Sequence, residues 1–549
     1  MSTSAASLRN ETHTGAAALA APAIARPQLD RKVGPGTVIL FIGLLAIGVA
    51  YTCYSLVADV DASGMRTSQW LPFLLLGVAL LIALGFEFVN GFHDTANAVA
   101  TVIYTHSLPP HVAVLWSGLF NFAGVLVSSG AVAFGIISLL PVELILQVGS
   151  SAGFAMVFAL LIAAILWNLG TWWLGLPASS SHTMIGSIIG VGVANALMHG
   201  RDGTSGVDWG QATKVGYSLL VSPLVGFLLA ALLLFVVRRV VKNKELYAAP
   251  KGNRPPPWWV RSLLVLTCTG VSFAHGSNDG QKGMGLIMLI LVGTVPTAYA
   301  LNRAMPVRET AQFAAVAQAT HQSLLKAAGN DAVTPSNARA ALAEYVRTHQ
   351  AKPETVADLA TVVSSIGTQV SERGGSIAKV PAQAVANVRN DMYLASESIR
   401  FLTKDPKVAL DAEAKRNLAA FKTEIDDATK FIPLWVKVVV AIALGLGTMV
   451  GWKRIVVTVG EKIGKTHLTY AQGASAEVVA MLTIGAADSF GLPVSTTHVL
   501  SSGVAGAMAA NGSGLQLGTL RNLALAWVFT LPAAMALSGG LYWMFRHAF

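Results

Sequence analysis

The chain has 549 residues, of which 53% are hydrophobic and 12% are charged, with a formal net charge of +10. Soluble domains usually contain about 25% charged residues, so this composition excludes an ordinary soluble enzyme or nucleic-acid-binding domain. Its apolar runs of about 20 residues are too long for barrel strands and predict an all-α polytopic membrane protein.

The first part of the chain separates into a tail, an extra span and a repeat. Residues 1–36 are rich in Ala, Ser, Thr and Pro and predict a disordered tail. The apolar run 37–58 is too long for a signal peptide and predicts an extra transmembrane segment. A first transmembrane repeat is expected over 70–238, and a basic inter-repeat loop over 239–258. Short basic loops usually face the cytoplasm.

The second repeat is interrupted. It is expected over 259–302 and 432–549, with an extramembrane helical insert over 303–431, where both charge signs are interspersed and apolar residues recur at helical spacing. Basic residues in 452–469 favour an insert outside the cell, whereas counting spans from the loop near 238–261 favours the inside. Long loops do not obey the charge rule, so the side stays open.

We expect about 10–12 membrane-crossing or re-entrant pieces. The candidate spans are 37–58, 71–92, 96–106 joined into 112–139, 153–174, 184–198, 214–237, 259–277, 283–301, 432–452, 470–490, 499–511 and 519–545.

A first polar motif occurs twice within apolar sequence, as Gly91-Phe-His-Asp-Thr-Ala-Asn97 and as Gly276-Ser-Asn-Asp-Gly-Gln-Lys282. In the first copy the Asp and the Asn share a helix face, and Glu87 extends the stripe by two turns. The neighbouring glycines permit unwound backbone or close approach. A buried Asp suits a cation or a proton, and polar groups inside hydrocarbon mark a site. The alternative is that they only hold helices together by hydrogen bonds.

A second motif is also duplicated, as Gly175-Leu-Pro-Ala-Ser-Ser-Ser-His182 and Gly491-Leu-Pro-Val-Ser-Thr-Thr-His498. Proline suits the first turn of a helix, and the hydroxyls after it either cap that helix or donate to an oxyanion. Short, small-residue-rich sequence follows each copy. We therefore expect two re-entrant hairpins that meet near the midplane, with ordinary capping of two spans as the alternative. The two histidines suit either a structural role or proton handling.

The motif spacing indicates two equivalent halves. Gly91 and Gly175 are 84 residues apart, and Gly276 and Gly491 are 215 apart. Without the 128 residues of 303–430, the second interval is 87. Duplicated polar interruptions in corresponding places point to a transporter site at the repeat interface.

The strings Asn90–Thr101, Gly175–His182, His275–Gly283 and Gly491–Ser502 resemble the signatures of the inorganic phosphate transporter (PiT) family, in its bacterial low-affinity permease branch. The resemblance covers most of residues 70–549. It implies two inverted-topology repeats with broken helices and re-entrant hairpins, with phosphate bound at the centre. It also implies a multi-pass protein of a bacterial inner membrane.

The resemblance, together with the polar stripe, gives two sets of candidate residues. The phosphate-binding set is Ser179, Ser180, Ser181, Ser495, Thr496, Thr497, Asn97, Asn278, Gln472 and Ser475. The coupling-ion set is Asp94, Asp279, His93, Glu87 and Lys282. No metal site is assigned.

Two departures from the family signature bear on the coupling ion. His93 replaces an Asn in the first copy, and Gly280-Gln281-Lys282 replaces Val-Ala-Asn in the second. Lys282 supplies a fixed positive charge where another member would bind a cation. The departures favour H⁺ over Na⁺, although Na⁺ stays an alternative.

The resulting functional hypothesis is a secondary transporter, not an enzyme, that imports inorganic phosphate by proton symport. The branch resemblance adds a neutral complex of phosphate with Mg²⁺ or another divalent cation as a form of the cargo. No Walker A motif is visible, so ATP drive is not expected. Alternatives are another tetrahedral oxyanion as substrate, or an intramembrane hydrolase using Asp, Ser and His. The expected partners are phosphate and the lipid bilayer, with a homodimer open, no cofactor and no nucleic acid.

Overall fold

The computed structural model describes residues 27, 29, 34–63, 71–94, 96–140, 142–147, 149–250, 252, 254–305, 307–329, 337–372 and 377–548. Most of the expected tail, 1–36, lies outside these residues. Within them every element is helical, and the one β-bridge joins Gly464 to Leu515. The expectation of an all-α membrane protein is confirmed for this part of the chain.

The described residues of the first half form nine α-helices. They are α1 (Pro35–Ala62), α2 (Leu71–Asp94), α3 (Ala96–Tyr104), α4 (Pro110–Val127), α5 (Ala131–Ile137), α6 (Val142–Leu146), α7 (Ser151–Trp173), α8 (Ser180–Met198) and α9 (Trp209–Val240).

The second half contains the remaining helices. Its membrane part consists of α10 (Trp258–Thr294), α11 (Pro296–Tyr299), α17 (Leu434–Thr448), α18 (Lys453–Val457), α19 (Tyr470–Ser489), α20 (Thr496–Asn511) and α21 (Leu517–Ala548). The intervening polar segment consists of α12 (Val307–Ala328), α13 (Ala338–Thr348), α14 (Thr355–Glu372), α15 (Ala382–Leu402) and α16 (Ala412–Thr429).

Within the described residues, seven helical segments are long and apolar enough to cross a membrane, with α2 and α3 counted as one, or up to eight if the bent pair α16 and α17 is one span. The expected 10–12 pieces also included shorter and re-entrant helices. Buried helices such as α10 and α19 carry the polar motifs and their partners, which lowers their hydropathy below that of a lipid-facing span. The polar side chains of these helices contact other helices of this chain and not lipid.

At the centre of the molecule, helices of each half pack on helices of the other half. In α8, Gly186 and Gly190 lie against the backbone of α21 at Leu531 and Met535. Reciprocally, α20 packs on α9, where Gly506 meets the backbone of Phe227. Small residues allow helices in a membrane to approach this closely. Each hydroxyl-bearing helix therefore packs on the last helix of the other half, although the inverted orientation of the repeats stays a prediction.

The second Asp motif lies inside a continuous helix. The expected interruption between 277 and 283 is absent, because α10 runs through it without a break. Its glycines serve close approach, since Gly276 packs on the backbone of Asn121 and Gly283 packs on Glu87. The first motif differs, because α2 ends at Asp94 and α3 begins at Ala96.

The five helices α12–α16 form a bundle with a core of its own. Buried members of this core include Phe313, Leu359, Ile366, Val388 and Phe421. The bundle rests on the membrane part at the short helix α6 and the segment before α9. There Arg389 Nη1 donates to the carbonyl of Ile145, and Arg400 pairs with Asp208.

Candidate transport site

The two hydroxyl motifs begin with the same turn and the same cap. Gly175 and Gly491 have φ of +67° and +63°, which glycine adopts without strain. Ser179 caps α8 by accepting from the amide of His182, at 3.2 Å. Ser495 caps α20 in the same way, at 3.1 Å. The first hydroxyl of each motif is therefore used for capping, and the next two extend from the first turn of each helix.

The carboxylate of Asp94 receives hydroxyls from both halves. Ser180 Oγ of α8 donates to Asp94 Oδ2 at 2.6 Å. Thr497 Oγ1 of α20 donates to Asp94 Oδ1 at 2.7 Å. His93 Nδ1 lies 2.8 Å from the same Oδ1. All four side chains are buried, so the ends of α2, α8 and α20 converge on one carboxylate.

The carboxylate of Asp279 is held mainly by a cation. Lys282 Nζ lies 2.7 Å from Asp279 Oδ2, one helical turn along α10, and both side chains are fully buried. Ser180 Oγ and Thr496 Oγ1 each lie 3.5 Å from the same oxygen. Asp279 Oδ1 has no hydrogen-bond partner within the described residues. This second carboxylate is thus neutralised by charge and has one acceptor oxygen available.

Ser180 connects the two carboxylates. Its Oγ donates to Asp94, lies 3.5 Å from Asp279 Oδ2, and accepts from Lys282 Nζ at 3.3 Å. A hydroxyl has one donor hydrogen, so it satisfies one carboxylate at a time. Any change in the charge of either carboxylate therefore changes the hydrogen bonding of the other.

Two histidines flank the carboxylates and can accept a proton. His93 Nε2 lies 3.3 Å from Thr171 Oγ1, a hydroxyl that donates to the neutral ring or accepts from the protonated ring. His275 Nδ1 faces Asn121 Oδ1 at 2.8 Å and therefore carries the hydrogen. Within the described residues its Nε2 has no hydrogen bond and lies 3.4 Å from Asp279 Oδ2. Protonation of this nitrogen would turn a contact between two acceptors into an ion pair.

Three side chains have the spacing of a metal site. The ligand atoms of Asp94, His275 and Asp279 lie within 4.8 Å of one another. However, the Lys282 ammonium already occupies a cation's position beside Asp279. The donor set fits a divalent cation chemically only if the ammonium moves away, since two positive charges would otherwise be adjacent.

Some candidate residues lie beside this cluster. Glu87 is buried against Gly283 of α10, one residue after Lys282, and accepts from Asn90 at 3.4 Å. Asn278 donates to the carbonyl of Leu492, just ahead of the second hydroxyl motif. The side chain of Asn97 lies outside the described residues.

Other candidates are engaged in structural contacts. Ser181 Oγ donates to the carbonyl of Val494 at 2.7 Å, which joins the two hydroxyl motifs. Gln472 forms a capping box with Thr469 and donates to Ser513 at 2.6 Å, so its amide serves the start of α19. Ser475 is buried on α19, one turn further along.

The structure adds residues that sequence reasoning did not select. His275 precedes the second motif and lies four residues before Asp279, which is the available sequence signal for a shared face. Asn121, its partner, has no motif around it. Glu477 accepts from Thr101 and Thr267 and is fully buried between the halves. Nothing in its local sequence distinguishes it from an interfacial Glu.

The histidines of the two hydroxyl motifs contact each other. The rings of His182 and His498 are 4.7 Å apart, and His498 stacks on Trp527 at 4.2 Å. His182 Nδ1 and His498 Nε2 have no hydrogen-bond partner within the described residues. They bring the first turns of α8 and α20 together.

Residues 90–538 match the sequence model described as the phosphate transporter family. The low-affinity inorganic phosphate transporter PitA of Escherichia coli K12 is 43% identical over 488 residues, covering 86% of this chain and 96% of that protein. PitB of the same strain is 41% identical over 505 residues, with the same coverage. A probable low-affinity inorganic phosphate transporter of Bacillus subtilis strain 168 is 26% identical and covers 87% of this chain and 99% of its own length. A solved structure described as the sodium-dependent phosphate transporter has a TM-score of 0.48 and 20% identity, over 87% of this chain and all of that one.

Proposed function

This chain belongs to the phosphate transporter family, and we propose that it imports inorganic phosphate across a bacterial inner membrane by symport with protons. It is a transporter rather than an enzyme, as its relatives are named. The hydrolase alternative is therefore set aside.

The observation that carries the proposal is the position of Ser180 between Asp94, Asp279 and Lys282. A buried cluster of hydroxyls and one ammonium supplies the donors that a tetrahedral oxyanion requires. Ser180 and Thr496 come from the first turns of α8 and α20, whose helix N-termini also favour an anion.

Competition for these donors supports coupling to protons. While both carboxylates are ionised, they engage the hydroxyls of Ser180 and Thr497 and the ammonium of Lys282. Protonation of the carboxylates weakens those bonds and frees the same donors for phosphate oxygens. Phosphate then binds well only when protons are bound, which is the thermodynamic requirement for symport.

His93 and His275 would hold protons next to the carboxylates. His93 keeps a hydrogen bond to Thr171 in either protonation state, and His275 gains a partner when protonated. Carrying protons with phosphate also offsets charge. Each net negative charge moved inward against the membrane potential costs about 2.3 kcal/mol per 100 mV.

Lys282 is the argument against sodium at the second motif. Its ammonium, 2.7 Å from Asp279, already supplies the charge that a bound Na⁺ would supply. A proton needs no coordination shell and can join this cluster without displacing the ammonium.

A divalent metal phosphate is the second candidate cargo. The grouping of Asp94, His275 and Asp279 within 4.8 Å favours it, because carboxylates and an imidazole bind Mg²⁺ or a transition metal carried with phosphate. In that form the cation and the anion enter together and little net charge crosses the membrane.

The test is uptake of radiolabelled phosphate into proteoliposomes with one imposed gradient at a time. We expect accumulation under an inward proton gradient without Na⁺, and much less accumulation by Ser180→Ala at the same phosphate concentration. Uptake that follows only an inward Na⁺ gradient would contradict proton coupling. Parallel samples with and without Mg²⁺, counted for metal and phosphate together, identify the carried species, and competition by sulfate and arsenate defines the oxyanion.

A further inference from the structure

A cleft of about 330 Å³ lies between the helical insert and the membrane part. One wall consists of α5 and the end of α10, with the apolar side chains Phe134, Met288 and Val292. The other wall consists of α15 and α16 of the insert and carries all the charged groups. One water needs only about 10–15 Å³ of such space, so the cleft accommodates a solvated ion or a larger polar group.

Four cations line the cleft, and three of them already have carboxylate partners. Lys422 and Lys430 share Asp426, at 2.5 and 2.8 Å. Arg400 pairs with Asp208 at 2.7 Å and with Glu397 at 2.6 Å. Among the described residues, the four lining cations and their carboxylate partners carry four positive and three negative charges, which leaves one positive charge in excess.

The uncompensated charge belongs to Arg389. Within the described residues its guanidinium contacts only neutral groups. These are the carbonyl of Ile145 at 3.4 Å, Asn390 Oδ1 at 3.2 Å, and the ring of Tyr393, whose centroid is 5.4 Å away. A guanidinium has five donor hydrogens, so most of its capacity is unused here.

The surroundings disfavour these positive charges. Burial lowers the pKa of Arg389. Burial also lowers the pKa of Lys430, although Asp426 partly opposes the shift. Arg389 and Lys430 are partly buried, and a partly buried cation without a full counter-charge is unfavourable, so an anion in the cleft would relieve it.

We propose that this cleft binds a phosphate group, with Arg389 as its main ligand and Lys422 and Lys430 as supporting cations. The planar guanidinium matches two phosphate oxygens at once, and the lysines contribute flexible donors. This site is separate from Ser180 and Lys282, and it does not depend on the transport proposal.

The phosphate group has two natural sources: free inorganic phosphate, or the headgroup of an anionic lipid. The apolar wall of α5 and α10 would accept the glycerol and upper acyl chain of a lipid. Bound phosphate of either kind would bridge the insert to α5, whose Val132 amide donates to Gln281 of α10, one residue from Lys282. Occupancy of the cleft would therefore stiffen the wall next to the transport site.

The experiment counts ligands on the purified, full-length protein. Equilibrium dialysis with radiolabelled phosphate should find two phosphates per chain in the wild type and one in Arg389→Gln. Arg416→Gln, an exposed arginine on α16 of the same insert, is the matched control and should keep two. We expect Arg389→Gln to weaken binding at the cleft about tenfold or more, and Arg389→Lys to weaken it less.

The lipid arm uses nanodiscs and native mass spectrometry. If a headgroup fills the cleft, phosphatidylglycerol should stay bound to the wild type and to Arg416→Gln and be lost from Arg389→Gln. In nanodiscs of phosphatidylcholine alone, without an anionic lipid, the cleft of the wild type should then bind free phosphate. Should Arg389→Gln fail to fold, Lys422→Gln serves as the second variant, with the same expectation.

The outcomes separate the two proposals. Ser180→Ala should retain one phosphate, at the cleft, and the double variant Ser180→Ala/Arg389→Gln should retain none. If Ser180→Ala keeps two phosphates while Arg389→Gln loses one, the cleft stands and the central site is wrong. If folded Arg389→Gln and Lys422→Gln match Arg416→Gln in both arms, the cleft proposal is overturned.

Discussion

The two Asp motifs of this chain have similar sequences and different electrostatic surroundings. Asp94 accepts from two neutral hydroxyls, Ser180 and Thr497, whereas Asp279 is paired with the ammonium of Lys282. Neutral hydroxyls can exchange a carboxylate for a phosphate oxygen at little electrostatic expense. An ion pair buried in the protein separates only when its charge is neutralised. Asp94 is therefore suited to exchange of partners, and Asp279 to holding a charge in place.

The largest expected effect tests this contrast directly. Asp279→Asn removes the carboxylate paired with the buried Lys282, which should destabilise the folded protein by about 3–5 kcal/mol. Asp94→Asn keeps one acceptor for the hydroxyls and should destabilise it much less, while both variants lose phosphate uptake. Thermal unfolding and proteoliposome uptake are the measurements. Equal unfolding temperatures of the two variants would show that the two carboxylates do not differ in their electrostatic role. Normal phosphate uptake by both variants would show that neither carboxylate binds the coupling ion.

A second variant makes the two motifs alike. Lys282→Asn places an amide where the first motif has Asn97, and it removes the cation beside Asp279. We expect uptake to become stimulated by Na⁺, because the vacated position has oxygen ligands and a net negative charge. Uptake is measured across a range of Na⁺ concentrations at fixed pH, with Lys415→Gln, an exposed lysine of α16, as the control lysine change. No Na⁺ dependence in a folded, inserted variant would argue against Lys282 as a substitute cation.

The hydroxyls provide a smaller and more selective test. Ser180→Ala removes the donor shared by both carboxylates and should weaken phosphate binding about 10- to 100-fold, as expected for one charge-assisted hydrogen bond. Ser181→Ala removes a hydrogen bond to the carbonyl of Val494 and should reduce stability by about 1 kcal/mol with little change in affinity. The concentration dependence of uptake distinguishes them. The reverse order of affinities would assign phosphate binding to Ser181 instead.

The smallest expected effect concerns Gln472. Its side chain completes a capping box at the start of α19, so Gln472→Ala should reduce stability by about 1 kcal/mol. Uptake per inserted molecule should be unchanged, since Gln472 contacts Thr469 and Ser513 and none of the central carboxylates. A raised KM for phosphate in this variant would indicate that Gln472 belongs to the phosphate-binding site.

The duplicated motifs allowed the candidate site to be predicted because polar groups within apolar sequence can be recognised without knowledge of the fold. The pairing of Ser180 with Asp94 joins elements that were both selected beforehand. His275 was missed because its role depends on Asn121, 154 residues away, and on the rotation of α10. Gln472 contacts Thr469 and Ser513, so its amide has local partners, and its role in phosphate binding stays a prediction.

The glycines of the second motif illustrate why chain breaks are hard to read. Gly276 and Gly283 are compatible with an unwound helix or with tight packing. The choice depends on neighbouring helices, and here α4 and α2 approach so closely that an intact α10 is favoured. The length of α8 was also not readable from sequence. The small residues after the motif predicted a short piece, whereas α8 extends over 19 residues.

Composition and apolar run length were enough to establish a helical membrane protein, and motif spacing predicted two halves, the second of them interrupted by a polar segment. These properties are local, since each follows from the solvent that a short stretch of chain prefers. Helix rotation and contacts between distant residues decide which carboxylate meets a hydroxyl and which meets an ammonium. They also decide that Arg389 faces a cleft without a counter-ion in the described part of the chain. Such contacts arise when helices from both halves and the insert pack together, and no short stretch of sequence encodes them.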